Sequence, residues 1–167
     1  EILDLGQQAI SNRFLTDPAE DEFRHPLTIG QCDSCSTLQI INPVPVKELL
    51  PHFDWITYNE PEEHLDKLAD TIAGLSGLNP GSSICGVSFK DDSTLARLKQ
   101  NGFKKTWRID PEKDLGISES RAGVETIQDR LNVETADRIV KKYGVAEAVI
   151  VRHILEHAYD AAEFMKA

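Results

Sequence analysis

The apolar positions of the chain change their period near residue 57. Before it they fall in short clusters. "HPLTIGQC", residues 25–32, and "STLQIIN", residues 36–42, each predict a short strand. Four prolines between Pro18 and Pro45 keep the remainder irregular. From Glu60 onward helix and strand patterns alternate. Leu65, Leu68, Ala69, Ile72 and Leu75 form an apolar stripe that predicts a helix over 60–75, with Pro61, Glu62 and Glu63 suited to its first turn. "SSICGVSF", residues 82–89, reads as a buried strand, and "DDSTLARLKQNG", residues 91–102, as a helix capped by Asp91 or Asp92 and ended by Gly102. "KTWRID" (105–110), "AGVETIQ" (122–128) and "AEAVIVRH" (146–153) predict three more strands. An amphipathic helix closed by Gly144 spans 133–144, and "YDAAEFMKA" opens another.

Strands alternating with helices imply parallel pairing in an open α/β sheet. The expected organisation is a small β module over residues 1–57 and an α/β unit over 58–167. A chain of 167 residues can hold both.

Charge and cysteine content narrow the function classes. Lysine and arginine total 18 and aspartate and glutamate 28, so the formal charge is 18 − 28 = −10. Such a surface repels phosphate backbones, and no nucleic-acid partner is expected. Three cysteines do not make a disulfide framework. No basic stretch followed by an apolar run opens the sequence, and no apolar run approaches the roughly 20 residues of a membrane span. A reduced, cytoplasmic protein with no membrane partner is the expectation.

Candidate chemistry lies in two places. Cys32 and Cys35 sit in a C-x-x-C turn between two expected strands, the shape of a zinc knuckle. In an open parallel sheet, ligands bind beyond the carboxyl ends of the strands. Three loops leave such ends here: "GVSFKDDS", "IDPEKD" and "RHILEHAYD". Asp110, 24 residues after Gly86, is spaced to accept the ribose hydroxyls of a nucleotide-like cofactor. The plain alternative is a turn residue before Pro111. Capping by Asp91 or Asp92 is compatible with cofactor contact. "HILEH", His153 to His157, also fits the H-x-x-E-H pattern, in which two histidines on one helix bind zinc and Glu156 acts as base. Its plain alternative is a loop with solvated histidines. Cys85 reads as a buried strand residue. Trp55 and Tyr58 fall in the segment that joins the two halves.

Three stretches, "LDLGQQAISNRFL" (Leu3–Leu15), "CDSCSTLQI" and "VIVRHILEHAYDAAEFM", together resemble the class I S-adenosylmethionine-dependent methyltransferases. The likeness is greatest to the sugar C-methyltransferases, which join an N-terminal zinc-binding domain to that fold. The resemblance implies an incomplete Rossmann-like methyltransferase domain preceded by a zinc-ribbon-like module. It implies S-adenosylmethionine as cofactor, held near Gly86, Asp92, Asp110 and Arg152, and a nucleotide-linked keto-sugar as substrate, met by Tyr58. Arg152 and His153 would face the transferring methyl, and His153 is the best general-base candidate present. In the family four cysteines hold one zinc, so Cys32 and Cys35 are expected to be half the site of an intact protein longer at both ends, and here to be metal-free, oxidised or part of a site completed by another chain. The sequence also departs from the family. The first loop is usually E-x-G-x-x-x-G, but here Gly86 stands alone and Asp92 or Ser93 replaces a glycine. A non-catalytic Rossmann-like binding module with a degenerate cofactor loop is therefore the second expectation. The pattern leaves the oligomeric state open.

Overall fold

A computed structural model describes residues 1–11, 13–52 and 61–167. The chain divides into two compact units, Glu1–Trp55 and Ile56–Ala167.

The first unit is a three-stranded antiparallel sheet in the order β1-β2-β3, with β1 Leu3–Ala9, β2 Arg24–Gln31 and β3 Leu38–Ile41. A short helix follows, α1 Val46–Leu49. Leu3, Ile29 and Ile40 lie in one cross-strand row, and Gln31 pairs with Leu38. β2 and β3 are the two strands that the clusters predicted. β1 was not predicted. Its pairing shifts between Asp4 and Gln7, where Gly6 takes a positive φ of 66° and donates its N–H to Asp4 Oδ1. That bulge breaks the alternation by which a strand is recognised. Arg13 ties the segment after β1 to α1 through Glu48, at 2.6 Å, and lays its guanidinium over the Phe23 ring.

The second unit is built on a three-stranded parallel sheet in the order β5-β4-β6: β4 Ser83–Gly86, β5 Lys105–Arg108 and β6 Ala148–Ile150. The chain runs from the central strand to one edge and then back to the other. Helices supply the crossovers: α2 His64–Ala73 leads into β4, α3 Asp92–Gln100 joins β4 to β5, and α4 Pro111–Leu115, α5 Val124–Arg130 and α6 Val133–Tyr143 join β5 to β6. A last short helix, α7 Ala161–Phe164, follows.

The period of two along β4 divides the core. Ile84 packs with Ala69 of α2, Leu95 and Leu98 of α3, Phe103 and Ile150. Cys85 and Val87 pack in a second cluster with Ile127, Leu131, Ile139 and Phe164. Both faces of the sheet are thus covered, which is why the strand read as one continuous apolar run.

Two local expectations are corrected. The stretch 122–128, expected as a strand, is the start of α5. Val124, Ile127 and Leu131 are spaced three and four apart and all enter the second cluster, so helical packing overrides the β-branched residues' preference for strands. The first helix starts at His64, with Glu63 as its cap residue, so Pro61 and Glu62 precede it. Glu62 is used differently: together with Asp66 it holds Arg97 of α3. Among the described residues no helix is long and apolar enough to cross a membrane.

Candidate functional site

The cysteine pair occupies the turn between β2 and β3. Cys32 closes that turn by donating its N–H to Thr37 O at 2.9 Å and accepting the Ser36 N–H at 2.9 Å, with Ser36 in a left-handed conformation, φ 62°. Cys35 is exposed, and its sulfur lies 3.2 Å from Thr37 Oγ1. That hydroxyl, the Thr37 amide and then Cys32 hold the Cys35 thiol below its ordinary pKa. The pair has the C-x-x-C turn shape of two zinc ligands. Among the described residues no group of three or more His, Cys, Asp or Glu could hold a metal. A closed tetrahedral zinc site therefore does not fit the described residues alone.

In the second unit the carboxyl ends of β4, β5 and β6 open onto three loops. The loop after β4 enters a 3-10 turn, Phe89–Asp91, opened by a capping box: Lys90 N–H donates to Ser88 Oγ, and Ser88 N–H to Asp91. Asp91 is wholly buried. Its Oδ2 accepts the N–H groups of Val87 and Ser88, both at 2.8 Å, and its Oδ1 accepts the N–H of Arg152 at 3.0 Å. Burial pushes the Asp91 carboxyl pKa up, against the pull of these three amides and of the Arg152 charge.

Gly86 stands at the end of β4, and the space its missing side chain leaves is filled from within. A Cβ there would come 2.8 Å from Leu95 Cδ1 and 2.9 Å from Asp91 Cβ. The glycine lets α3 and the 3-10 turn close on the strand. Asp92 is exposed and pairs with Arg108 at the end of β5, Oδ1 to Nε 2.9 Å. Arg152 donates from Nη1 to Lys90 O as well as from its backbone to Asp91. The four positions expected around the cofactor, Gly86, Asp92, Asp110 and Arg152, all flank these carboxyl ends.

Asp110 follows β5 and caps α4. Its Oδ1 accepts the N–H groups of Glu112 and Lys113, at 3.1 and 3.0 Å, and its Oδ2 accepts Lys113 Nζ at 2.9 Å. The Lys113 amide and then its ammonium hold the Asp110 carboxyl below the usual range. Pro111 at the first helical position and Gly116 in a left-handed conformation, φ 68°, complete the helix ends. Both oxygens thus have partners within the turn, and the side chain still reaches solvent.

His153 has a positive φ of 56°, uncommon for a residue other than glycine, though histidine is among the side chains that adopt it more readily. Its ring is exposed, with Nδ1 3.4 Å from Glu156 Oε1. His157 instead lies beside Glu125 of α5, 3.8 Å away. A 3-10 turn begins only at Leu155, so no helix runs through both histidines. The zinc-protease reading of H-x-x-E-H is therefore corrected: the turn that would stack the two imidazoles on one helix face does not form. Asp160 caps α7 by accepting the Glu163 N–H at 2.9 Å.

Tyr58 and Trp55 lie outside the described residues. Cys85 is buried, donates weakly to Gly86 O, and burial pushes its thiol up to about 12. It is a packing residue. An apolar groove of about 380 Å³ on its face of the sheet is lined by Val87, Trp107, Ile109, Val149 and Met165 among others, and by none of the polar residues above. The sequence offers Asp91 as a helix cap compatible with cofactor contact, and does not show it as a bridge between two loops. The signal for its other role was the Ser-x-x-Asp spacing of a capping box, Ser88 to Asp91.

Comparison with known proteins sets a class beside this geometry. Residues 1–49 match a methyltransferase family model described as "Putative zinc binding domain". The whole chain is similar to C-methyltransferase NovU of Streptomyces niveus, with 24% identity over 170 residues, covering 99% of this chain and 40% of that protein. The chain thus spans less than half the length of this curated relative, and its likeness to methyltransferases extends over both units.

Proposed function

We propose that the chain is part of an S-adenosylmethionine-dependent C-methyltransferase, with residues 58–167 forming the first part of its Rossmann-like cofactor domain. The observation that carries this reading is the convergence of three loops at one edge of a parallel sheet whose strand order reverses at β4. Ligands of open α/β sheets bind at such an edge. The likeness to a C-methyltransferase supports the reaction class.

When bound, S-adenosylmethionine supplies a methyl group on a positively charged sulfur. The chain's residues bind and orient. Asp110 offers its remaining acceptor capacity to ribose hydroxyls at the end of β5. Arg152, fixed through backbone and side chain, lines the edge beside Asp92. The resemblance to sugar C-methyltransferases suggests a nucleotide-linked keto-sugar as the substrate, in which a carbon beside the carbonyl becomes nucleophilic once a base removes its proton. His153 is the side chain here suited to take that proton, and Tyr58 the aromatic suited to contact the sugar. Zinc belongs to the small module, with Cys32 and Cys35 as two of its ligands. The cytoplasm, a reducing compartment, suits three free cysteines.

One observation favours a second reading, a non-catalytic binding module. The glycine that would admit a ligand to the first loop is covered by Leu95 and Asp91. Calorimetry separates the two. The proposed function expects the chain to bind S-adenosylmethionine or S-adenosylhomocysteine, and binding to weaken in Asp110→Ala. A folded chain that binds neither compound leaves the binding module as the reading.

A further inference from the structure

We infer that Asp91 is a positioning residue: its carboxylate fixes the spacing between the loops after β4 and β6, and so sets the shape of the edge proposed to bind the cofactor. The inference rests on that cofactor reading.

By chain position Asp91 is the residue before α3, where an aspartate ordinarily accepts the first free amides of the helix. It does not do so, and no side-chain cap bond reaches α3. The carboxylate turns back and takes the Val87 and Ser88 amides on one oxygen and the Arg152 amide, 61 residues away, on the other. Among these contacts both oxygens are used and the side chain sees no solvent. A buried carboxylate so engaged has one favourable placement, and each amide it holds is placed with it.

A second clasp runs in parallel. The Arg152 guanidinium donates to Lys90 O, inside the same 3-10 turn. Arg152 is therefore held to the first loop at its backbone and at its side-chain end. The chain turns directly afterwards, at His153, through a sparsely populated backbone conformation that its neighbours must hold. The Arg152 amide marks where that turn begins. Releasing it leaves β4 and β5 paired, because the bond from Ile109 N–H to Gly86 O does not involve Asp91, and it leaves the Val87 N–H, which Asp91 shares with Ile150 O of β6 at 3.2 Å, its sheet partner. What changes is the separation of the loops.

Asp91→Asn keeps the side-chain volume but replaces one carboxylate oxygen by an NH₂; in place of Oδ1 it loses only the Arg152 amide, whereas in place of Oδ2 it would lose both the Val87 and the Ser88 amide, so the Arg152 contact is the one given up. Hydrogen exchange and S-adenosylhomocysteine calorimetry on the 167-residue chain test the inference. Exchange at the Arg152 amide should rise about 10-fold or more, while the Ile109 amide, bonded to Gly86 O, stays protected. The dissociation constant should rise by about 10-fold or more, as small misplacements of binding groups do. Exchange that rises equally at Ile109 would show a general structural role and overturn the inference, as would wild-type affinity in Asp91→Asn. If the wild-type chain, shown to be folded, binds no S-adenosylhomocysteine, the cofactor reading falls. The loop clasp is then judged by exchange alone, and an unchanged Arg152 amide overturns it. Should the variant not fold, the wild type decides. The amide proton shifts of Val87, Ser88 and Arg152 should titrate with one midpoint, and an Arg152 shift that does not follow the other two refutes the bridge.

Discussion

Replacing Gly86 with alanine adds a single methyl group, and two opposed effects fix the outcome. In the unfolded chain alanine has less freedom than glycine, which alone would stabilise the fold by about 0.4–1 kcal/mol at a compatible position. Gly86 does not have a positive φ, so the backbone raises no objection. The contacts do. The new Cβ would lie 2.8 Å from Leu95 Cδ1 and 2.9 Å from Asp91 Cβ, both well inside normal contact. Leu95 can yield by a rotamer change, at a cost to its own packing with Ile84 and Leu98. Asp91 cannot yield easily, because three amides hold its carboxylate. Overpacking of this kind costs about 1–3 kcal/mol. The net expectation is a loss of about 1–2 kcal/mol, or a Tm lower by roughly 5–10 °C for a unit of this size. Urea unfolding monitored by tryptophan fluorescence in a Trp55→Phe background, which leaves Trp107 as the reporter, measures it, with Leu95→Ala as partner in a double-mutant cycle. Leu95→Ala alone should cost about 2–5 kcal/mol. The double variant should be more stable than additivity predicts, by about 0.5 kcal/mol or more, because the clash is relieved. A Gly86→Ala protein as stable as wild type but unable to bind S-adenosylhomocysteine would refute this reasoning. It would mean that the glycine serves ligand approach and not internal packing.

Asp110→Asn retains a good capping side chain but loses the charge, whereas Asp110→Ala loses both and should be the less stable of the two; calorimetry should show weaker cofactor binding in each, and equal affinity in all three proteins refutes the ribose role. Because its neighbours lower the Asp110 pKa on folding, its contribution is present above about pH 4 and is lost as pH falls through the lower folded value, which acid titration of Asp110→Asn against wild type will show as a smaller acid loss. Cys85 works in the opposite sense: its folded thiol is raised to about 12, so its contribution is full at neutral pH and is lost as pH rises from about 9. Alkylation at pH 8 should label exposed Cys35 at once and Cys85 only on unfolding, and early labelling of Cys85 would contradict its burial. The 167-residue chain should release zinc readily to a chelator, since in the proposed site Cys32 and Cys35 are two of four ligands; one zinc per chain surviving dialysis against EDTA would refute that.

Local pattern was enough to determine much of this protein. The C-x-x-C turn follows from two apolar clusters around a short polar gap. The positions of β4, α3, β5 and α6 follow from apolar periods of two or three to four, punctuated by Gly102 and Gly144. Asp110 was legible as a terminus because Pro111 follows it, and its placement beyond β5 follows from the alternation of strands and helices. Tertiary structure alone decided the rest. Whether 122–128 is strand or helix is undetermined locally, since Val124, Thr126 and Ile127 favour a strand while the spacing of Val124, Ile127 and Leu131 suits a helix. The second core cluster has room for one helical face, and that decides it. β1 exists only because β2 offers it an edge, across a bulge that erases its alternation. The role of Asp91 lay furthest out of reach. A sequence window shows a carboxylate beside a helix start, but its third amide partner sits 61 residues away. Apart from 122–128 and β1, the secondary structure here follows from interactions over a few residues, whereas the partner of a buried polar group is set by how the chain closes on itself.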